Sequence, residues 1–410
     1  MSVNSRQKDK DDFRLSLFIA GYYFLYTCNE FIVIVLGGNQ MLQIFAKLLM
    51  IVLLASAFPS IWKRIGSMFV ASETVLMIMY LVSYFAYGNV SLSMLVSVMF
   101  YSVFLYFPLG VCSYCIINKE ILFNLLYICS LIIQFILVIV LLNVGSMEQE
   151  TYSMSTGYAL ILAVLVISSH WLKTKKLYDF IFVAVDLITI ILFGSRGPIL
   201  CFAVFVFIHI CVSKVMTQRR KVLYAAMLIM AVCILLFNYI FIITLVADLL
   251  EKLGYSSRTL RLLAEGLGTY DSGRGTIQAE VVRLIHEKPW FGWGAVGGRE
   301  TGPIPKYPHN IYLELLLSFG IPIGVILSVI ITFILVKGVF QKETFSQLLA
   351  IVFVSKTVSL LISDSLFQYS EFFICIAFCL QGRMFFLRGS EGGKFKYYRK
   401  GANACYKIKE

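Results

Sequence analysis

Charge is scarce in this chain. Asp, Glu, Lys and Arg make up 14% of its 410 residues, against 59% hydrophobic. A soluble domain carries nearer a quarter charged residues, so a soluble enzyme and a disordered chain are both excluded. No His/Cys or Asp cluster has metal-ligand spacing, so no metal or other cofactor is expected. There is no Gly-x-x-x-x-Gly-Lys phosphate loop, no internal repeat and no low-complexity segment. The first apolar run, Phe13 to Leu36, is longer than a signal-peptide core and no small-x-small site closes it, so it reads as an uncleaved first span. Of the ten cysteines, only Cys405 lies outside an apolar run, which argues against an extracytoplasmic disulfide. Cys112 and Cys115 have apolar or neutral neighbours and no His nearby, so they read as small core residues.

What the chain has in abundance is membrane-length hydrophobic sequence. Fifty-nine per cent of 410 residues is enough for roughly twelve spans of about twenty residues. The expected fold class is all-α and polytopic, with spans near 13–36, 41–61, 69–87, 93–117, 121–142, 156–172, 178–194, 198–213, 222–246, 311–336, 345–363 and 367–387. The connections alternate in charge. Lys63 and Arg64, Lys119, Lys173 to Lys176, Lys214 to Lys221, Lys337 and Lys342 share one side with both termini. The short loops of the other side, 37–40, 88–92, 143–155, 195–197 and 364–366, hold a single basic residue, Arg196. The positive-inside rule makes the first side cytoplasmic. It also accounts for the net charge of +12 without nucleic acid, since no basic domain exists beyond a short tail. Two intramembrane charges, Glu30 and Lys47, lie at similar depth and are expected to pair or to share a polar cavity.

The exception is an outer loop over 247–310, flanked by transmembrane segments 1–246 and 311–387 and followed by a basic tail, 388–410. It gathers eight basic residues, and long loops cross regardless of charge. Asp248 to Gly268 reads as one or two amphipathic helices lying on the membrane. Tyr270 to Gly275 is a turn cluster that places Arg274 at a helix start, where free N–H groups and an Arg fork suit an anion; Asp271 could equally hold that Arg. Pro289-x-x-Gly292-x-Gly294 permits tight turns or close approach of backbone to a ligand. Pro308 and Asn310 stop and cap the next helix, leaving His309 at the outer surface. Arg196, in the tight Ser195-Arg196-Gly197-Pro198 turn, faces the same aqueous side.

Taken in order, Ser195-Arg196-Gly197, Ser272-Gly273-Arg274, Pro289-x-x-Gly292-x-Gly294 and His309-Asn310-x-Tyr312-Leu313 resemble the O-antigen polymerase and ligase superfamily of bacterial envelope glycan assembly. The likeness covers roughly residues 180 to 336. It implies an inverting, metal-independent glycosyltransferase in the bacterial cytoplasmic membrane, acting on a glycan carried by undecaprenyl diphosphate. Polymerisation of capsule-like or O-antigen repeat units is the first expectation. Ligation to a lipid core is the second, and a non-enzymatic flippase or transporter the third. Arg196, Arg274 and His309 become the expected catalytic residues. Arg299, Asn310, Tyr312, Gly292, Gly294 and Glu280 become expected substrate contacts, with Glu280, Glu300 or Glu314 as alternative bases. Expected partners are the lipid-linked oligosaccharide, membrane lipid, a flippase and a chain-length regulator; nucleic acid is not among them.

Overall fold

The computed structural model describes residues 3–36, 40–87, 91–144, 154–192, 196–214, 216–238, 274–300 and 307–381, with isolated positions between 241 and 252. The surface helices expected over 248–268, the Tyr270 to Gly273 turn and the tail from 388 lie outside the described residues. The described residues are helical, without strands. A helix lies in each of the twelve expected windows. They are α1 (Val3–Leu36), α2 (Gln40–Ile65), α3 (Ser67–Tyr87), α4 (Leu92–Tyr101), α5 (Phe107–Cys115), α6 (Lys119–Val144), α7 (Met154–Thr174), α8 (Leu177–Leu192), α9 (Arg196–Val212) and α10 (Gln218–Phe237), then α12 (Ile311–Val339), α13 (Thr344–Lys356) and α14 (Ser370–Leu380). A π-turn, Ser102–Tyr106, joins α4 to α5 within one window, and α11 (Arg274–Glu287) belongs to the expected outer loop. By length and apolarity, seven helical stretches among the described residues can cross a membrane.

The core is built around α7. Every residue from Ala159 to Ile167 is buried, because α1, α6, α8, α9 and α13 surround this helix. A helix apolar on all sides has to be enclosed or face lipid, and α7 is enclosed. By contrast, α2 and α3 leave most of their apolar side chains exposed, as lipid-facing helices do. Lys47 is on the exposed side of α2, while Glu30 lies beside Tyr26 on α1. The expected Glu30–Lys47 pair therefore does not form.

One end of the bundle is tied by charge. Helix α1 has 34 residues, about 51 Å of helix, so it extends beyond a bilayer core. Its lower turns carry Asp11 and Asp12, both buried. Lys63 Nζ lies 2.7 Å from Asp11, and Arg64 lies 2.6 Å from Asp12. The N–H groups of Ile117 and Asn118 each donate to the Asp12 carboxylate at 2.9 Å. At the same end, Asp179 binds His170 and the Tyr127 hydroxyl, each at 2.7 Å. Glu343 caps α13 through the N–H groups of Phe345 and Ser346, and Lys173 stands 4.1 Å from the Phe345 ring. Burial acts to raise the Glu343 carboxyl; hydrogen bonds from Ser346 and the field of Lys119 overcome it and hold the group below its ordinary range. The loops assigned by charge to one side thus do gather at one end.

The largest departure from expectation is in α12. A continuous span over 311–336 would place Tyr312 and Thr332 about 30 Å apart. Their hydroxyls instead meet at 3.0 Å. Gly320 breaks the helix with φ 77° and ψ 171°. The arms 311–319 and 321–339 fold back on each other, so that a side chain at Gly324 would press on Leu315 and Leu316. The second arm, about 28 Å long, can cross the membrane. The first packs with α11 and the Pro289–Gly294 loop, in the segment expected on the outer side.

Candidate functional site

The break in α12 leaves backbone groups without helical partners, and these must be satisfied inside the protein. The Pro289–Gly294 loop supplies the partners. Trp293 N–H donates to Leu317 O at 2.8 Å, and Gly294 N–H donates to Ser318 O at 2.9 Å. Ile321 N–H donates to Pro289 O at 2.7 Å. The break at Gly320 leaves both the Leu317 and the Ser318 carbonyls free for the loop, and Pro322 adds no N–H that would need a partner at the turn. Gly292 and Gly294 have φ of 66° and 80°, and a Cβ on Gly292 would stand 2.5 Å from Gly320 N. Both glycines are buried against protein, so their role here is backbone packing rather than ligand approach. Trp293 is buried and its indole donates to Leu284 O at 2.8 Å, which fastens α11; Trp290 is exposed.

The same module is latched to the rest of the bundle. Tyr87 donates to Phe291 O at 3.0 Å, Ala295 N–H donates to Ser83 at 3.0 Å, and Ser91 donates to Glu300 at 2.9 Å. Arg299 is buried. Its guanidinium donates to Glu314 at 3.1 Å, to Gln368 at 2.9 Å and to Ser365, while the Tyr307 ring lies 5.3 Å away. Glu314 also accepts from Ser365 Oγ at 2.6 Å and from Leu366 N–H at 2.7 Å. Arg299 and Glu314 therefore neutralise each other inside the protein and brace the 363–368 segment. That is a structural post, not the phosphate contact or base expected of them. Glu280 is likewise held, 2.6 Å from Arg283. Its hydrogen bond with Arg283 keeps its carboxyl below the usual glutamate range.

His309 is placed differently. Its backbone is left-handed, φ 54°, a conformation that costs a residue with Cβ on the order of 1 kcal/mol. Asn310 follows as the cap of α12, its Oδ1 accepting from Tyr312 and Leu313 N–H at 3.0 and 3.2 Å. The strained turn swings the imidazole onto Ser363, whose carbonyl lies 2.8 Å from Nδ1. A carbonyl only accepts, so Nδ1 carries a proton and Nε2 is the basic atom of the neutral ring. Ser363 Oγ in turn meets the Tyr158 hydroxyl at 2.7 Å. That hydroxyl lies against Gly197, where any added Cβ would fall 1.7 Å from it. Arg196, the first residue of α9, is thereby brought to the Tyr158–Ser363–His309 chain by its own backbone. Its side chain, like that of Arg274, lies outside the described part. Helix α11 seats Ile277, Val281, Leu284 and Ile285 on Leu317, flanked by Leu313 and Leu316. Arg274 therefore opens a helix that rests on the first arm of α12, the arm His309 precedes. Tyr312 turns away to Thr332.

Ser363, Asp364 and Tyr158 were not singled out by the sequence, and the structure brings them to this site. Burial pushes the Asp364 carboxyl above the usual aspartate range, against the pull of Lys356, Ser359 and His309. Lys356 is buried, donates to Tyr158 O at 2.6 Å and lies 3.7 Å from Glu371. A single acidic residue in a short loop expected on the outer side was the only available signal. Its contacts are made from parts of the chain far apart in sequence.

The protein is thus an all-α, polytopic membrane protein in which the backbone at the start of α9, the turn before α12 and the Ser363–Asp364 segment meet at one end. Residues 181–328 match the family described as O-Antigen ligase, a similarity that supports the expected likeness to the O-antigen ligase and polymerase superfamily. The matched segment contains Arg196, Arg274 and His309, and ends before Ser363 and Asp364. No curated protein and no solved structure matches the chain.

Proposed function

We propose that this protein is a polysaccharide polymerase that joins oligosaccharide repeat units carried on undecaprenyl diphosphate, at the outer face of the bacterial cytoplasmic membrane. The observation that carries this reading is the His309 turn, where the Ser363 carbonyl fixes Nδ1 as the protonated nitrogen and makes Nε2 the basic one, beside the helix start that bears Arg196. The acceptor hydroxyl attacks the anomeric carbon of the donor from the face opposite the diphosphate. A C–O glycosidic bond forms, the bond from the anomeric carbon to the phosphate oxygen breaks, and the lipid diphosphate leaves with that electron pair. His309 Nε2 takes the hydroxyl proton. Arg196 and Arg274 meet the negative charge that grows on the departing diphosphate, a stabilisation available without a metal. The configuration at the anomeric centre inverts. Asn310 caps the helix that carries this geometry. A flippase would deliver the donor, and a chain-length regulator would set the product.

Reconstituted vesicles separate the readings. With a lipid-linked repeat unit and chelator present, the purified protein should lengthen the glycan unaided. Movement of unmodified substrate with no lengthening would make it a transporter. Transfer only to an added lipid core would make it a ligase.

A further inference from the structure

We propose that Tyr158 is a positioning residue for the transfer: its hydroxyl holds Ser363, whose carbonyl sets the His309 proton on Nδ1, against the first turn of α9. This rests on the glycosyl-transfer reading and adds the group that orients the base. The residues which that reading uses all stand at helix starts or in turns. Arg196 and Arg274 open α9 and α11, and His309 lies in the turn before α12. Ser363 is in a turn as well, its N–H donating to Ser359 O at 2.7 Å. Turns alone hold side chains loosely, and a reacting geometry has to be held to a fraction of an ångström by a rigid neighbour. Tyr158 is such a neighbour. It is buried on α7, next to the stretch from Ala159 to Ile167 that the bundle encloses.

The tyrosine is fixed at both ends. Its carbonyl accepts from the buried Lys356 Nζ at 2.6 Å, and that ammonium lies 5.6 Å from its ring. Lys356 closes α13 and stands 3.7 Å from Glu371 on α14, so the backbone of Tyr158 is tied to two further helices. At the far end its hydroxyl meets Ser363 Oγ at 2.7 Å, and Ser363 O lies 2.8 Å from His309 Nδ1. Gly197 leaves the room for this contact, since a Cβ there would overlap the hydroxyl and press on Ile362 at 3.0 Å. One hydroxyl thus touches both the segment that orients His309 and the residue after Arg196. Without it the Ser363 peptide is free to turn, and the Nδ1–H group loses its acceptor. The neutral ring then divides its proton between Nδ1 and Nε2, so Nε2 is basic only part of the time. Phenylalanine at 158 keeps the ring and its packing, which separates this role from one in folding.

NMR of the purified full-length protein, with its histidine nitrogens isotope-labelled, reads the tautomer without any turnover. With the imidazole neutral, wild type should show one His309 tautomer, protonated at Nδ1; its resonances are those that His309→Ala removes. Tyr158→Phe should show both tautomers. In vesicles with the lipid-linked repeat unit, Tyr158→Phe should lower kcat by on the order of 10-fold to 100-fold, with KM within about two-fold of wild type. Ser363→Ala removes the same hydrogen bond from the other side and should do the same, which keeps the bond readable even where Tyr158→Phe fails to fold. The double variant should be no worse than the worse single one, because both cut one bond. Mixed tautomers in the variants, with no transfer by wild type, would remove the proposed reaction and support the positioning role. A single Nδ1 tautomer in both variants, or kcat losses that multiply in the double variant, would overturn the proposal.

Discussion

The two ends of this bundle use charge in opposite ways. At the end holding Asp11, Asp12 and Asp179, each carboxylate is closed by cations, hydroxyls or backbone N–H groups within hydrogen-bond distance. Such groups fasten loops and have no capacity left for a ligand. At the other end, Arg299 and Glu314 do the same fastening, but His309 stands in a left-handed backbone with Nδ1 on the Ser363 carbonyl, and Asp364 keeps an unpartnered oxygen. The difference between the two ends is one of satisfaction rather than of residue type.

The fastened end breaks most severely. Asp12→Ala strands Arg64 and two N–H groups, and should lower stability by about 3–5 kcal/mol, measured by thermal unfolding in detergent. Activity per folded molecule should survive. Gly320→Ala comes next. Its Cβ would fall 2.4 Å from Trp290 O in a left-handed backbone, a strain on the order of 3 kcal/mol. Here activity and thermal stability should fall together, because the same turn positions the His309 arm. Asp364→Asn should move them apart. The carboxyl is raised in the folded protein, so ionising it destabilises the fold; that cost is absent below the usual aspartate range, near about pH 4, and grows as pH rises. The variant should therefore melt higher than wild type at neutral pH while its transfer rate falls. Glu280→Gln should do least. Its exposed pair with Arg283 contributes only above the depressed carboxylate pKa and is lost as pH falls through it, so transfer and melting at neutral pH should match wild type.

The alternation of basic and non-basic loops was legible in the sequence because a charge rule acts on each connection separately. The helix start at Asn310 was legible because a cap is local chemistry. The fold-back of α12 was not. Its 29 residues read as one apolar helix, and only the docking of Gly292 against Gly320 turns a permissive glycine into a break. The same limit applied to Arg299. An Arg beside two glycines reads as an anion site until Glu314 and Gln368 arrive from elsewhere in the chain. Ser363 and Asp364 carried no motif, and their importance comes from contact with His309 and from burial.

The most direct measurement is the initial rate of glycan lengthening by purified His309→Ala protein, beside wild type and with melting temperature recorded. The account predicts a fall of at least about 100-fold with melting nearly unchanged, since removing a proton acceptor costs on the order of 10²–10⁴ in rate. A near-normal rate from folded His309→Ala protein would contradict it.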